Sequence, residues 1–380
     1  MTRAGALSFR AGPGALQAIK KHGFSPEMVG TMAGASGGAK WLVLSKLDRV
    51  VADSVIPRLR GPVHLIGSSI GAWRFACYAQ DRPLDAIARF EDAYLEQTYS
   101  DDPDRDEITA KSREILDYLL GESGAAEILA HPVLRMNVMT VRSRRLTASE
   151  RPAMLVPGLL AAATLNAVNR RSLGAFFERV LFYDARDLPP FFDAKGFPMS
   201  RVELGEANLL DAIIATGAIP MVLSGVRDIA GAPRGVYRDG GVIDYHLDLP
   251  QSAPERLTLY LHFIDRIVPG WFDKKLSWRK PNPSNVDRTL LISPSHEFVA
   301  RLPYGKIPDR RDFINFTPEE RVRAWHTVVD MCDELADEFH EVLESRDYKG
   351  LDMEMRIIEG LGHAGSYPGA FTRGLVSVFR

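Results

Sequence analysis

Within VHLIGSSIGAWRFACYA (63–79), an apolar-rich run from Val63 to Ile66 enters Gly67-Ser68-Ser69-Ile70-Gly71 and leaves as a helix-forming sequence. A strand covered on both faces reads as a nearly continuous apolar run. A strand, a sharp turn flanked by small residues and an immediate helix together lift a serine hydroxyl clear of a sheet. The spacing therefore predicts a strand ending near Gly67, Ser69 on the turn and a helix from Ile70. The amino end of that helix would direct unpaired N–H groups at charge developing on a group attacked by Ser69. A second motif of the same form, Gly34-Ala35-Ser36-Gly37-Gly38, also follows a strand-like run and precedes a helix. Local context alone leaves Ser36 and Ser69 both open as nucleophiles.

Outward from these motifs, EMVGTMA (27–33), a helical pattern over 39–52, VHLIG and the helix from Ile70 alternate strand with helix, as in a parallel α/β sheet. Residues 84–98 and 107–120 are amphipathic helices, and RMNVMTV (135–141) is a buried strand. The segment 154–182 is apolar on more than one face, which fits a core helix pair or a cover over a greasy cleft. GVYRDGG (235–241) and RLTLYLHFI (256–264) are strand-like, whereas 269–315, rich in Pro, Asn, Asp and Arg, reads as a long excursion. Thr317, Pro318 and Glu320 form a capping box, and Val322, Trp325, Val329, Cys332, Phe339 and Val342 continue one helix behind it. MEMRIIEG supplies the last strand. No composition shift marks a boundary, so 1–380 is expected to be a single domain.

Composition narrows the function classes. The 47 basic residues nearly balance 49 acidic ones and are scattered, so no nucleic-acid footprint stands out and a small or uncharged partner is expected. Cys77 and Cys332 lack a C-x-x-C partner, which argues against disulfides and thiolate zinc and for a cytoplasmic location. The segment MTRAGALSFRAGPGALQ lacks the apolar core of a signal peptide, and no apolar run suits a membrane span. A soluble protein is expected, with peripheral membrane contact left open and no oligomeric state implied. GASGGAKW lacks Gly-Lys-Ser/Thr, and AGPGALQA has Gln17 where a dinucleotide loop needs glycine, so nucleotide binding is not expected.

Farther on, LLDAIIATGAIPMVLSGVRDIAGAPRGVYRDGGVIDYHLDLP (209–250) joins Ala215-Thr216-Gly217-Ala218-Ile219-Pro220 to Asp239-Gly240-Gly241. Taken in order with the earlier motifs, over about 30–250, this set resembles the patatin-like phospholipase family. The resemblance implies a three-layer α/β/α fold with a mostly parallel sheet, which residues 251–380 complete with added helices. It implies an oxyanion loop at 36–40 carried by Gly37, Gly38, Ala39 and Lys40, and an elbow from Gly67 to Gly71 with Ser69 as nucleophile. Asp239, on the turn made by Gly240 and Gly241, would be the base that takes the Ser69 proton and later activates water. The 215–220 stretch would shape the cleft without taking part in the chemistry. The implied activity is hydrolysis of lipid or other carboxylic esters, with no metal and no organic cofactor. Two positions depart from the family: Ser36 stands where a glycine is usual, and Trp41 replaces the glycine after the basic residue.

Other readings stay open. A shifted register makes Ser36 the nucleophile with FRAGPGA as its loop. HFIDRIVPG and IIEGLGHAGS resemble the acid and histidine segments of α/β-hydrolases, giving a Ser69, Asp265 and His363 triad. An acyltransferase on the same dyad and a non-catalytic lipid binder complete the set.

Overall fold

The computed structural model describes residues 5–345, apart from 252 and 254, and the backbone of 356–357. Its strands are β1 (Leu7–Ala11), β2 (Val29–Gly34), β3 (Val63–Ser68), β4 (Leu134–Ser143), β5 (Phe177–Tyr183) and β6 (Met199–Glu203). They continue with β7 (Val226–Arg227), β8 (Val236–Asp239), β9 (Leu257–Leu261), β10 (Thr289–Pro294) and β11 (Arg356–Ile357). All join one sheet in the order β11-β1-β10-β9-β2-β3-β4-β5-β6, with β8 paired to β4 and β7 to β8. The central run β10-β9-β2-β3-β4 is parallel throughout, and helices flank it, as the alternating pattern predicts. Every residue of β2, β3, β9 and β10 is buried, which explains their nearly unbroken apolar sequences.

β4 serves as a fork. Its first part pairs in parallel with β3, ending at Ser68 opposite Met139. From the next residue β8 takes over in antiparallel register, beginning with Asp239 opposite Thr140. Adjacent residues of one strand thus bring together the end of β3 and the end of β8, which are 170 positions apart at Ser69 and Asp239. On the other side of β3, Gly34 of β2 lies opposite Gly67, so the loop beginning at Ala35 emerges beside the elbow.

The helix Ile70–Tyr78 is buried at every position. Arg74 forks onto Asp48 through Nε at 2.8 Å and Nη2 at 2.5 Å, and the Tyr78 hydroxyl donates to the same carboxylate at 2.6 Å. Three donors satisfy that carboxylate, so the fully buried charge is matched as burial requires. Trp41 packs into the adjoining core, stacked on Phe90 at 4.3 Å between centroids and edge-on to Tyr94 at 5.6 Å. Trp41, which stands where the resemblance implies a glycine, therefore points its ring into the core.

Three expectations need correction. The segment 154–182 is not a pair of long helices: Pro152–Val168 is followed by a short 3-10 turn, Arg170–Ala175, and then by β5. A short apolar run such as FERVLF cannot be assigned to helix or strand by periodicity. The helix itself buries one stripe, Leu155, Leu159, Ala162 and Asn166, over a small second core that includes Val242 and Ile243. The excursion 269–315 contains the fully buried β10, hidden in sequence by Pro283 and Pro294. The long helix behind Thr317 is two, Pro318–Met331 and Asp333–Glu344. Its capping box is formed: Thr317 accepts the Glu320 N–H at 3.3 Å, and Glu320 accepts the Thr317 N–H at 3.0 Å.

Candidate active site

Ser69 has φ 53° and ψ −130°, a conformation costly for any residue with a side chain. Its hydroxyl donates to Asp239 Oδ2 at 2.7 Å, and the other carboxylate oxygen accepts the Gly241 N–H at 2.7 Å. Both side chains are buried. Gly67 is on β3, Gly71 in the first turn of the helix, and Gly240 opens the short turn Gly240–Val242 that carries the Gly241 amide to the carboxylate.

The 215–220 stretch bonds directly to the backbone of Ser69 and of Asp239. Thr216 accepts the Ser69 N–H at 2.8 Å and donates its own proton to the Met139 carbonyl, while Ala218 accepts the Asp239 N–H at 3.1 Å. The carboxyl end of the helix Leu209–Gly217 thus fixes the backbone of both partners. Thr216→Ala is expected to cost about 1 to 3 kcal/mol, since it leaves a buried N–H and carbonyl unpaired. Chemical denaturation checks this, with Thr216→Ser expected to restore most of the loss; an unchanged midpoint in the alanine variant would refute it.

The loop after β2 places its groups differently from one another. The Ser36 N–H is taken by the Tyr245 carbonyl at 2.9 Å and its hydroxyl donates to Ser68 Oγ at 3.0 Å, so Ser36 hydrogen-bonds to neither acid nor imidazole. The N–H groups of Gly37, Gly38 and Ala39 have no hydrogen-bond partner among the described residues. Gly38 has φ +56°, and a methyl on it would meet nothing within 4 Å, so the loop faces open space. Free amides of this kind are donors for an oxyanion. Of the expected loop 36–40, the amides left open are those of Gly37, Gly38 and Ala39, while the Lys40 N–H, like that of Ser36, is engaged, here by the Gly37 carbonyl at 3.4 Å.

No family model and no curated protein matches the chain. Among solved structures, the crystal structure of VipD from Legionella pneumophila is similar, at 13% identity over 89% of this chain and 72% of that one, with a TM-score of 0.33. A likeness that weak adds nothing to what the site's own geometry shows.

Asp265 is not brought to Ser69. It is ion-paired with Arg10, with His296 Nε2 at 3.6 Å, and His363 lies outside the described residues. The Ser69 hydroxyl meets a carboxylate where the triad would place an imidazole.

Burial pushes the Asp239 carboxyl up to about 6, opposed by the Ser69 hydroxyl, the Gly241 amide, Lys274 and Arg310. The two cations carry no motif in the sequence. Lys274 follows the short turn Trp271–Asp273, with Nζ 4.0 Å from the centroid of the Tyr245 ring. Lys40 stands 5.6 Å from the Phe263 centroid. Desolvation, with Lys40 and Arg310 adding to it, lowers the Lys274 pKa to about 7. Lys40 is lowered chiefly by desolvation.

Proposed function

We propose that this protein is a serine acyl hydrolase of the patatin-like type, acting on lipid esters through Ser69 and Asp239. The observation that carries this reading is the 2.7 Å hydrogen bond from a serine in an elbow conformation to a buried carboxylate. Asp239 accepts the Ser69 proton as Oγ attacks the ester carbonyl, and the amides at 37–39 receive the developing oxyanion. The leaving alcohol departs protonated, and water, deprotonated by Asp239, releases the acyl group from Ser69. Peptide mapping after fluorophosphonate treatment tests this. An adduct on Ser69 is expected; an adduct on Ser36, or none at all, would overturn the reading.

The lipid assignment is supported by the helix Pro152–Val168, which has no charged residue along its length. To one side of its buried stripe, Met154, Leu165 and Val168 share one face and are 43%, 48% and 85% exposed. Trp278, 60% exposed, lies in a segment tied to the helix end by Arg279, whose Nη2 donates to the Asn166 carbonyl at 2.7 Å. Arg151 and Arg171 flank the helix in sequence and Lys275 and Lys280 flank Trp278, all four exposed. An apolar face with cations beside it in the chain suits an anionic lipid surface, on which the protein would rest without crossing; no helix among the described residues is long and apolar enough to span a membrane. Leu165→Ser with Val168→Ser is expected to lower co-sedimentation with phosphatidylglycerol vesicles about tenfold, given roughly 25 cal/mol per Å² of apolar surface. Undiminished sedimentation would remove the lipid surface from the proposal.

A further inference from the structure

We propose that Ser36 is a positioning residue, fixing the open amides at 37–39 against the Ser69 elbow and the turn that carries Asp239. The proposal rests on the hydrolase reading and gives a role to the second serine motif, which the dyad does not use. Ser36 immediately precedes Gly37, the first of the open amides, and both Ser36 and Ser68 are buried. Contacts to the elbow, to the stretch beyond the base and to the turn of the base meet on this one residue.

β2 and β3 pair as far as Gly34 opposite Gly67, and beyond that point one chain enters the loop and the other the turn of Ser69. The hydroxyls of Ser36 and Ser68, 3.0 Å apart, link the two chains where the backbone ladder has ended, and Ser68 is the residue before the nucleophile. Beyond the base, the Tyr245 carbonyl accepts the Ser36 N–H at 2.9 Å, and Tyr245 is itself held by its own N–H on the Pro269 carbonyl at 2.9 Å. At the turn of the base, a methyl on Gly241 would lie 2.9 Å from the Ser36 Cβ and 2.9 Å from Asp239 Oδ1. Ser36 thus packs directly on the glycine whose N–H holds that carboxylate.

Open amides have no bond of their own to set their direction, so their aim depends on what precedes and follows them. Lys40 follows with a long bond to the Gly37 carbonyl, 3.4 Å, and Phe263 lies against Gly37, its Cε1 2.6 Å from where a methyl would stand. Ser36 precedes them and supplies a link to the reacting serine. An oxyanion donor acts only when it points at the oxygen of the transition state, and a misplacement of about 1 Å can cost on the order of a hundredfold in rate. The Ser36 hydroxyl has Ser68 as its partner and no base, so it is suited to placement and not to attack.

The test is steady-state hydrolysis of p-nitrophenyl butyrate and palmitate by the full-length protein, with rates taken per site labelled by a fluorophosphonate so that unfolded protein does not count. Ser36→Ala is expected to lower kcat about ten- to hundredfold with KM nearly unchanged, because oxyanion donors bind the transition state and not the ester. Ser68→Ala should lower kcat comparably, and the double variant no further than the weaker single, since both remove one bond. Ser36→Gly keeps the amide bond to Tyr245 and loses the hydroxyl, and should fall at least as far as Ser36→Ala. The acidic limb of kcat/KM is expected to keep its midpoint in every variant, because the partners of Asp239 are untouched. A Ser36→Ala kcat within about twofold of wild type, losses that multiply in the double variant, or a displaced acidic limb would each overturn the proposal. Ser36→Ala with neither turnover nor adduct would make Ser36 the nucleophile and also overturn it. Wild-type protein that hydrolyses no ester removes the hydrolase reading and this role with it, whereas turnover unchanged by Ser36→Ala removes the role alone.

Discussion

Asp239→Asn is expected to lower kcat for an acyl ester about a thousandfold, the scale of a lost general base, while leaving the protein at least as stable at pH 7. The amide keeps the shape of the side chain but cannot take the Ser69 proton. The stability change has its own sign. The Asp239 carboxyl titrates at about 6 in the folded protein against 3.8 when free, so the folded state holds its proton more tightly. Folding stability therefore falls as pH rises from about 4 to about 6, and above that the buried charge costs roughly 3 kcal/mol. Removing that charge relieves the cost. The same ionisation gives wild-type kcat/KM an acidic limb, with activity lost as pH falls through about 6. Steady-state kinetics from pH 4.5 to 8, with thermal melts of both proteins, checks these points. A variant within tenfold of wild type would exclude Asp239 as the base.

Gly71→Ala is expected to destroy the fold of the elbow. A methyl on Gly71 would lie 2.7 Å from the Gly34 Cα and closer still to its carbonyl, where both neighbours are backbone and cannot rotate aside. The crossing of the helix start over β2 exists because both positions lack side chains. The expected cost is about 3 kcal/mol or more, at the upper end for overpacking. Gly38→Ala is the matched control, since its methyl would enter open space and meet only the penalty of positive φ, about 1 to 2 kcal/mol. Denaturant titration of the two variants decides; equal stability would show that the crossing tolerates a methyl.

The elbow was legible because its parts are consecutive: strand, turn and helix occupy Val63 to Tyr78 with no gap. Gly71 and Gly34 were visible as glycines, though their contact was not. Asp239 was legible only through the order of motifs, because the pairing that delivers it depends on β4 changing partners between Met139 and Thr140. Thr216 was quoted in the right stretch, but a hydroxyl that both accepts from Ser69 and donates to Met139 leaves no periodic mark. Lys274 and Arg310 were not legible, being single cations in a segment crowded with charge. The balanced composition, which suggests a small or uncharged partner, averages over the chain and is silent about local excess. β10 was missed because its short apolar run sits among prolines and polar residues.

The strand order also bears on how the protein is made. β2, which leads into the open amides at 37–39, has β9 as its outer neighbour, and β9 in turn needs β10. A ribosome that has just released Asp239 has supplied every residue of the proposed dyad but neither of those strands. The nascent chain at that stage leaves one edge of β2 without its backbone partners, and a fragment ending near residue 250 would share that defect. Completion waits for Leu257–Leu261 and Thr289–Pro294, so the order of synthesis delays the finished surroundings of Ser69 and Asp239 until well after both residues exist.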